Sequence, residues 1–473
     1  MAAAPSKQRL DRGTLLALGA MALGIFVIAN DFTALSVALP AIEKDLDSTV
    51  TTTQWVINAY ALVFGCFIVT GGRLADIFGR RRIFLIGSAI FAAFSVLGGV
   101  APDIHVVLGC RALMGIGGAM MWPAVLGMTY GLLPDDKAGL AGGLVLGVAG
   151  FGNAIGPLFG GMLTELASWR WVFFVNLPIA AFAMFVTRRE VTEQTEDQGD
   201  RRIDYTGSAV LSVALLSLLL AMDEGSDVGW TDAPIVALFG LCVALLVAFV
   251  FVERRARTHA LVPDDVMRNR QFAAACIATL MMSAIFFSAL LYLPQFMQKV
   301  LGYSALESGA GLLPMMGVFA VTSFVAGPVY ARLGAKPVVS AGAACLAAGI
   351  FLVSLIDADS GYGAIVPGMI VLGLGVGLFY SSITTAAVTA LDPSRASLAG
   401  AIVYMFQIAG GAVGLGLNTA IITSGPLVDG ISDAFKVDAA LAIVGLVVAL
   451  LFIGGTASPE QHRFALRFHR AHA

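Results

Sequence analysis

Asp31 stands in an apolar run that spans about residues 14 to 40, and it reads as the only carboxylate well inside any such run of the chain. A charged carboxylate at the centre of a bilayer costs about 2.5 to 3.5 kcal/mol on insertion scales, so Asp31 should face a cavity or a partner. Burial favours the neutral form of a carboxyl, and a group held this way can exchange a proton. Arg111 reads as the only cation inside a run. At 1.5 Å of rise per residue, it falls roughly 10 Å below the outer end of its helix, and Asp31 roughly 25 Å above the inner start of its own. Both land in the outer half of a hydrocarbon core about 30 Å thick. They can pair directly or through polar groups such as Asn58 or water. Arg111 would then lower the proton affinity of Asp31 in one conformation and release it in another. Two plainer roles stay open: an Asp that only caps or salt-bridges near the outer surface, and an Arg that snorkels to the headgroups or bonds backbone carbonyls.

A second concentration of chemistry is GGRLADIFGRRR, Gly71 to Arg82, with five charges in twelve residues of a chain that is 12% charged. Its arginines suit a topology signal. Asp76, Gly72 and Gly79 need another reason. Asp76 follows an apolar run, where it can accept hydrogen bonds from Arg80 and Arg81 and from a helix N-terminus of the opposite half, latching one conformation. Farther along, Gly152, Gly156 and Gly160 recur every fourth residue and so share one helix face, with Pro157 able to bend the helix. Thr33, Asn58, Trp122, Phe286, Tyr292, Gln295, Tyr380, Phe406 and Gln407 are polar or bulky residues in central runs and are candidates for a cavity wall. Aromatic faces suit lipophilic cations, and the same side chains also suit ordinary packing. The five cysteines and five histidines show no ligand spacing, so neither a metal nor a cofactor is expected.

These groups need a bilayer to position them. The chain has 473 residues and is 58% hydrophobic, with a mean hydropathy of +0.87, which leaves too little polar surface to cover soluble domains. Lys7, Arg9 and Arg12 precede a first run too long for a signal-peptide core. Fourteen runs are long enough to cross, the last spanning about 435 to 455. With the N-terminus inside, the inner segments hold 23 of the 28 Lys and Arg, which places both termini and the Gly71 to Arg82 loop in the cytoplasm. The spacing of Gly72 and Gly79 recurs in Gly327 and Gly334, offset by 255, and Lys137 to Gly142 is echoed by Arg395 to Gly400, offset by 258. Helices one to six therefore repeat as nine to fourteen, with seven and eight inserted. The expected organisation is an N-terminal segment (1–13), a six-helix bundle (14–188), two inserted helices with linkers (189–271), a second bundle (272–455) and a tail (456–473). In the second copy of the loop, Ala331 stands where the first has Asp76, so the two gates differ chemically.

The motifs closely resemble the major facilitator superfamily, in its fourteen-helix drug:proton antiporter branch, from about Asp31 to the last helix. The resemblance is carried by Gly72, Asp76, Gly79, Arg80 and Arg81 in the loop after helix two and by Asp31, Thr33, Ala38, Leu39 and Pro40 in helix one. Arg111, Gly115, Gly117 and Ala119 carry it in helix four, and GVAGFGNAIGPLFGG with WRWVFFVNLPI, including Gly161, in helices five and six. Ile77, Ser36 and Met114 depart from the family pattern. The resemblance implies an all-α integral membrane protein of two pseudo-symmetric six-helix bundles plus two inserted helices. It implies a multi-pass cell-membrane antiporter, acting as a monomer without nucleic acid. Proton entry would drive the efflux of lipophilic, cationic small molecules, a multidrug or antibiotic resistance activity. With Asp31 as the single intramembrane acid, one proton would exchange for one monovalent cation without net charge. Export of one endogenous metabolite, lipid or antibiotic is the alternative; a channel or a non-transporting sensor fits the repeat less well.

Overall fold

The structure is a computed structural model and describes residues 11–134, 137–192, 204–256, 261–262, 266, 268–357, 359–422 and 426–454. The expected tail at 456–473, most of the N-terminal segment, much of the linker after the sixth helix, and His259, His462, His469 and His472 lie outside the described residues. Among the described residues, fourteen helices are long and apolar enough to cross a membrane. Lipid offers no hydrogen-bond partners, so each crossing segment satisfies its backbone internally as a helix.

The first half comprises α1 (Arg12–Asp45), α2 (Val50–Phe78), α3 (Arg80–Gly99), α4 (Ile104–Leu132), α5 (Ala138–Leu166) and α6 (Arg170–Glu190), the last interrupted at Val175. Two further helices follow, α7 (Tyr205–Val228) and α8 (Ala233–Ala256). The second half is α9 (Arg270–Lys299), α10 (Leu313–Leu333), α11 (Ala335–Val353), α12 (Tyr362–Thr389), α13 (Ala396–Ile422) and α14 (Leu427–Phe452). Polar residues start many of them. Asp11, Thr49, Asp103, Asp204 and Asn269 each accept a hydrogen bond from a backbone N–H in the first turn of the helix that follows.

The halves are related by a pseudo-two-fold axis. Contacts of α1 with α5 and α6, of α2 with α4, and of α3 with α4 and α6 recur as α9 with α13 and α14, α10 with α12, and α11 with α12 and α14. Across the interface, α2 packs on α13 and α5 on α10, again a symmetric pair. The repeated glycines explain themselves here. Gly79 and Gly334 are one-residue joints with φ of 101° and 85°, a backbone region that favours glycine. Gly72 and Gly327 let opposite halves touch: an added Cβ would lie 2.6 Å from the Ala401 Cβ in the first case and 2.5 Å from the Gly139 carbonyl oxygen in the second. The inserted helix α7 lies against both α2 and α13, with the Ser212 hydroxyl donating to the Cys66 carbonyl at 2.9 Å. α8 packs chiefly on α7 and turns apolar side chains such as Val243 and Phe251 outward.

One boundary differs instructively. The last helix begins at Leu427, eight residues before the expected run, because Asp429, Asp433 and Lys436 in its first turns depress the local hydropathy.

Candidate functional site

Asp31 and Arg111 meet directly. Arg111 Nη1 donates to Asp31 Oδ2 at 2.5 Å, and neither side chain is exposed. Around this pair, three further elements supply fixed groups. Arg111 Nε donates to the Val56 carbonyl at 2.7 Å, and its guanidinium lies 4.4 Å from the centre of the Tyr60 ring. Asn176 Nδ2 donates to Asp31 Oδ1 at 3.0 Å and to the Ser95 hydroxyl at 3.1 Å, while Ser95 donates to the Phe173 carbonyl at 2.8 Å. A buried ion pair survives only when its remaining hydrogen-bonding positions are largely filled, and here α1, α2, α3, α4 and α6 all contribute. The pair is direct, and Asn58 lines the central cavity. Asn176 lay inside the quoted WRWVFFVNLPI stretch, yet nothing in its spacing pointed to Asp31.

The reading of Asp31 and Arg111 as the only buried charges needs correction. Asp76, Glu253, Asp438, Arg73 and Arg80 are also buried. Asp438 was missed because the expected run began too late. The others were missed because they sit in the last two turns of a helix or at the start of the next, where a charge looks like a boundary. Glu253 accepts hydrogen bonds from the Leu261 and Val262 N–H groups, at 3.1 and 3.0 Å, and so fastens the segment after α8.

The loop after α2 closes one face of the molecule. Leu398 N–H donates to Asp76 Oδ2 at 2.8 Å and Ser397 N–H to Oδ1 at 3.3 Å, so the carboxylate of one half caps the N-terminus of α13 in the other. Arg80 fixes the arrangement, donating to Asp76 Oδ1 at 3.2 Å, to the Gly127 carbonyl at 3.1 Å and to the Pro393 carbonyl at 2.6 Å. Arg81 is not part of the set: it is half-buried and makes no hydrogen bond or ion pair among the described residues. The same face is closed by the Tyr130 and Thr385 hydroxyls at 3.0 Å and by the close approach of Gly139 and Gly327. At the symmetric position, exposed Ala331 offers α5 no such cap.

Between the halves lies a cavity of about 770 Å³. Trp122, Tyr380 and Tyr404 form its end toward the closed face, and it reaches Leu39, Trp55, Gln298 and Leu313 at the other ends of their helices. Of the expected wall residues, Thr33, Asn58, Trp122, Phe286, Gln295, Tyr380 and Gln407 line it. Tyr292 and Phe406 do not. The Tyr292 hydroxyl is drawn behind the wall by Thr419 Oγ1 at 2.6 Å, and the phase of α13 turns Phe406 aside while presenting Tyr404 and Gln407. Tyr404, not foreseen, lies 4.4 Å from Trp122, ring centre to ring centre. Among the described residues, no Asp, Glu, Lys or Arg lines the cavity.

The glycines of α5 sit on α1 next to Asp31. A Cβ at Gly152 would lie 3.0 Å from the Ala29 Cβ, one at Gly156 would strike Thr33, and one at Gly160 would strike the Ala34 backbone. Gly161 faces elsewhere, with Leu306 and Val37 at 3.5 Å, and Pro157 lines the cavity. The stripe therefore sets how closely the cavity-lining helix approaches the helix that carries the carboxylate.

Among the described residues, two facing halves of six membrane-spanning helices each, two inserted helices and a large cavity sealed at one face define a multi-pass membrane transporter. The major facilitator superfamily model matches residues 21–414, and the chain belongs to that superfamily. It is 33% identical to a puromycin resistance protein of Streptomyces alboniger, over 91% of this chain and 86% of that protein. It is 32% identical to the multidrug resistance protein Stp of Mycobacterium tuberculosis, over 88% of this chain and 77% of that one. A tetracenomycin C resistance and export protein of Streptomyces glaucescens is 30% identical over 86% of this chain and 75% of its own length. The structure of the human organic anion transporter MFSD10 superposes with a TM-score of 0.65 at 13% identity, covering 92% of this chain and 99% of that one, and so shares the fold. The chain is thus an efflux-type transporter of the cell membrane, in the fourteen-helix branch.

Proposed function

We propose that this protein exports lipophilic small molecules in exchange for protons, as a monomer, by alternating access of the cavity to the two sides of the membrane. The observation that carries this reading is the cavity of about 770 Å³, sealed at one face by Asp76 and Arg80, with the Asp31–Arg111 pair one layer behind its wall. The arginine-rich face, with Arg73 and Arg80 to Arg82, is cytoplasmic by the positive-inside rule, so the structure is the outward-facing state. Residues 14–188 and 272–455 move as two units.

In this state Arg111 balances the Asp31 carboxylate. A proton arriving from outside neutralises Asp31, weakens its hold on Arg111 and frees α1 and α4 to shift, while Asp76 releases α13. Substrate then enters from the cytoplasmic side, and deprotonation there resets the pair. An aromatic and amide wall accommodates a neutral compound, and also a delocalised cation through ring faces and amide oxygens. The resistance and export functions in the names of its relatives support the direction of transport. The test is proton release from inverted membrane vesicles on addition of puromycin or ethidium, with a resistance profile of overexpressing cells. Substrate flux that is indifferent to a pH gradient would overturn proton coupling.

A further inference from the structure

The second half holds a buried carboxyl that the proposed cycle does not use. Asp438 lies roughly 16 Å along α14 from Leu427 and is fully buried. Asn418 Nδ2 donates to Asp438 Oδ2 at 2.8 Å and also to the Ser288 hydroxyl. The three side chains tie α14 to α13 and α9, a buried Asp–Asn–Ser set like that of Asp31, Asn176 and Ser95 in the first half, though α13 answers to α5 and not to α3. Asp31 and Ser288 even occupy corresponding depths of α1 and α9, 257 residues apart.

The decisive difference is the cation. Arg111 has no equivalent here, and among the described residues no cation pairs with Asp438. From α9 it is faced by Ser288 and Tyr292, and from α13 by Asn418. On α11, Lys336 stands at the first turn and Cys345 is half-buried, and neither bonds it. On α14, Asp433 and Lys436 pair with each other at 2.9 Å on the surface, and Asp429 is exposed. A carboxylate buried without a counter-charge takes up a proton instead of bearing the full cost of its charge. The hydrogen-bond inventory agrees. Asp438 Oδ1 and Asn418 Oδ1 are both buried acceptors with no donor, and one proton on the carboxyl supplies the kind of group the cluster lacks.

We infer that Asp438 is a second proton-binding site, giving each half of the molecule one buried carboxyl that is loaded and unloaded in every transport cycle. The part concerning the cycle rests on the proton-coupled reading above; the part concerning proton binding does not. In the outward-facing state Asp31 is paired to Arg111 and Asp438 carries its proton, so the two halves are out of step. Export of a monovalent cation against two protons then moves one net charge inward, instead of none.

The test is infrared spectroscopy of the purified full chain at neutral pH, in light and heavy water, without substrate. Wild type should show a protonated-carboxyl stretch that is lost in Asp438→Asn and kept in Asp31→Asn. Ser288→Ala, which leaves the carboxyl in place, should shift that band without removing it, so the assignment survives even if Asp438→Asn misfolds. A wild-type spectrum without the band, or one that Asp438→Asn and Ser288→Ala both leave unchanged, overturns the inference. In proteoliposomes with ethidium as the probe, Asp438→Asn should lower the number of protons per ethidium by one and abolish the dependence of flux on membrane potential. An unchanged ratio refutes participation in the cycle. If wild type moves ethidium without protons, the proton-coupled reading fails, and the infrared result alone decides proton binding.

Discussion

Replacing Asp76 by Asn should open the face that Asp76 closes. The carboxylate accepts from two backbone N–H groups at the start of α13 and from Arg80. Hydrogen bonds to a charged group contribute about 1.5 to 3 kcal/mol each, and a charge at a helix N-terminus adds about 0.3 to 1 kcal/mol. Asn keeps one acceptor oxygen but loses the charge and places an N–H₂ against the other donors. A net loss of about 2 kcal/mol to the closed arrangement is a fair middle value, and it multiplies the open population by roughly 30. The assay is maleimide labelling of Thr385→Cys, whose position is buried and hydrogen-bonded to Tyr130 while the face is closed. Four of the five native cysteines are buried and the fifth is half-buried, so background labelling should be low. In the double variant the initial labelling rate should rise by about an order of magnitude or more, provided the closed form dominates in the parent. Arg82→Gln, at an exposed arginine with no part in the contact, should leave it unchanged. A rate that stays level or falls in Asp76→Asn would refute the latch.

Three further outcomes follow from the same geometry. Asp31→Asn should abolish proton-driven efflux while leaving ligand binding measurable, whereas Arg111→Leu should lower the thermal stability in detergent by about 3 to 5 kcal/mol, because it strands a buried carboxylate; wild-type transport by both Asp31→Asn and Arg111→Lys would exclude the pair from coupling. Gly160→Ala should abolish transport and Gly161→Ala should not, since only the first Cβ strikes the Ala34 backbone, and vesicle transport of the two variants side by side checks this. Tyr404→Ala should weaken binding of an aromatic substrate by about 1 kcal/mol, roughly fivefold, as read by fluorescence titration, and Phe406→Ala, outside the wall, should change it far less.

The crossings and the repeat were legible in the sequence because both are patterns along the chain. Runs of apolar residues count helices, and Gly79 and Gly334 mark one-residue joints wherever they occur. Asp31 and Arg111 stood out for the same reason, as charges in otherwise apolar surroundings. What stayed hidden was rotational phase and partnership. Whether α13 shows Tyr404 or Phe406 to the cavity depends on a rotation of about 100° per residue and on what α13 packs against. Asp76 meets Leu398 across more than three hundred residues, and only a folded interface tells which helix N-terminus it caps. Asp438 was concealed by its neighbours, since Asp429, Asp433 and Lys436 made the start of a membrane helix look like a loop.

The helix pair α7 and α8 gives this two-fold molecule a front and a back. By pseudo-symmetry the halves meet along two seams, α2 against α13 and α5 against α10, yet α7 straddles only the first. A compound dissolved in the membrane meets a seam belted by α7 on one flank and, on the other, a seam flanked by the short helix Ala305–Gly311. If the halves rock as proposed, the belted flank must slide along α7, whereas the other flank has no membrane-spanning helix across it among the described residues. Under the alternating access proposed above, the inserted helices would turn an even-sided rocker into a one-hinged door.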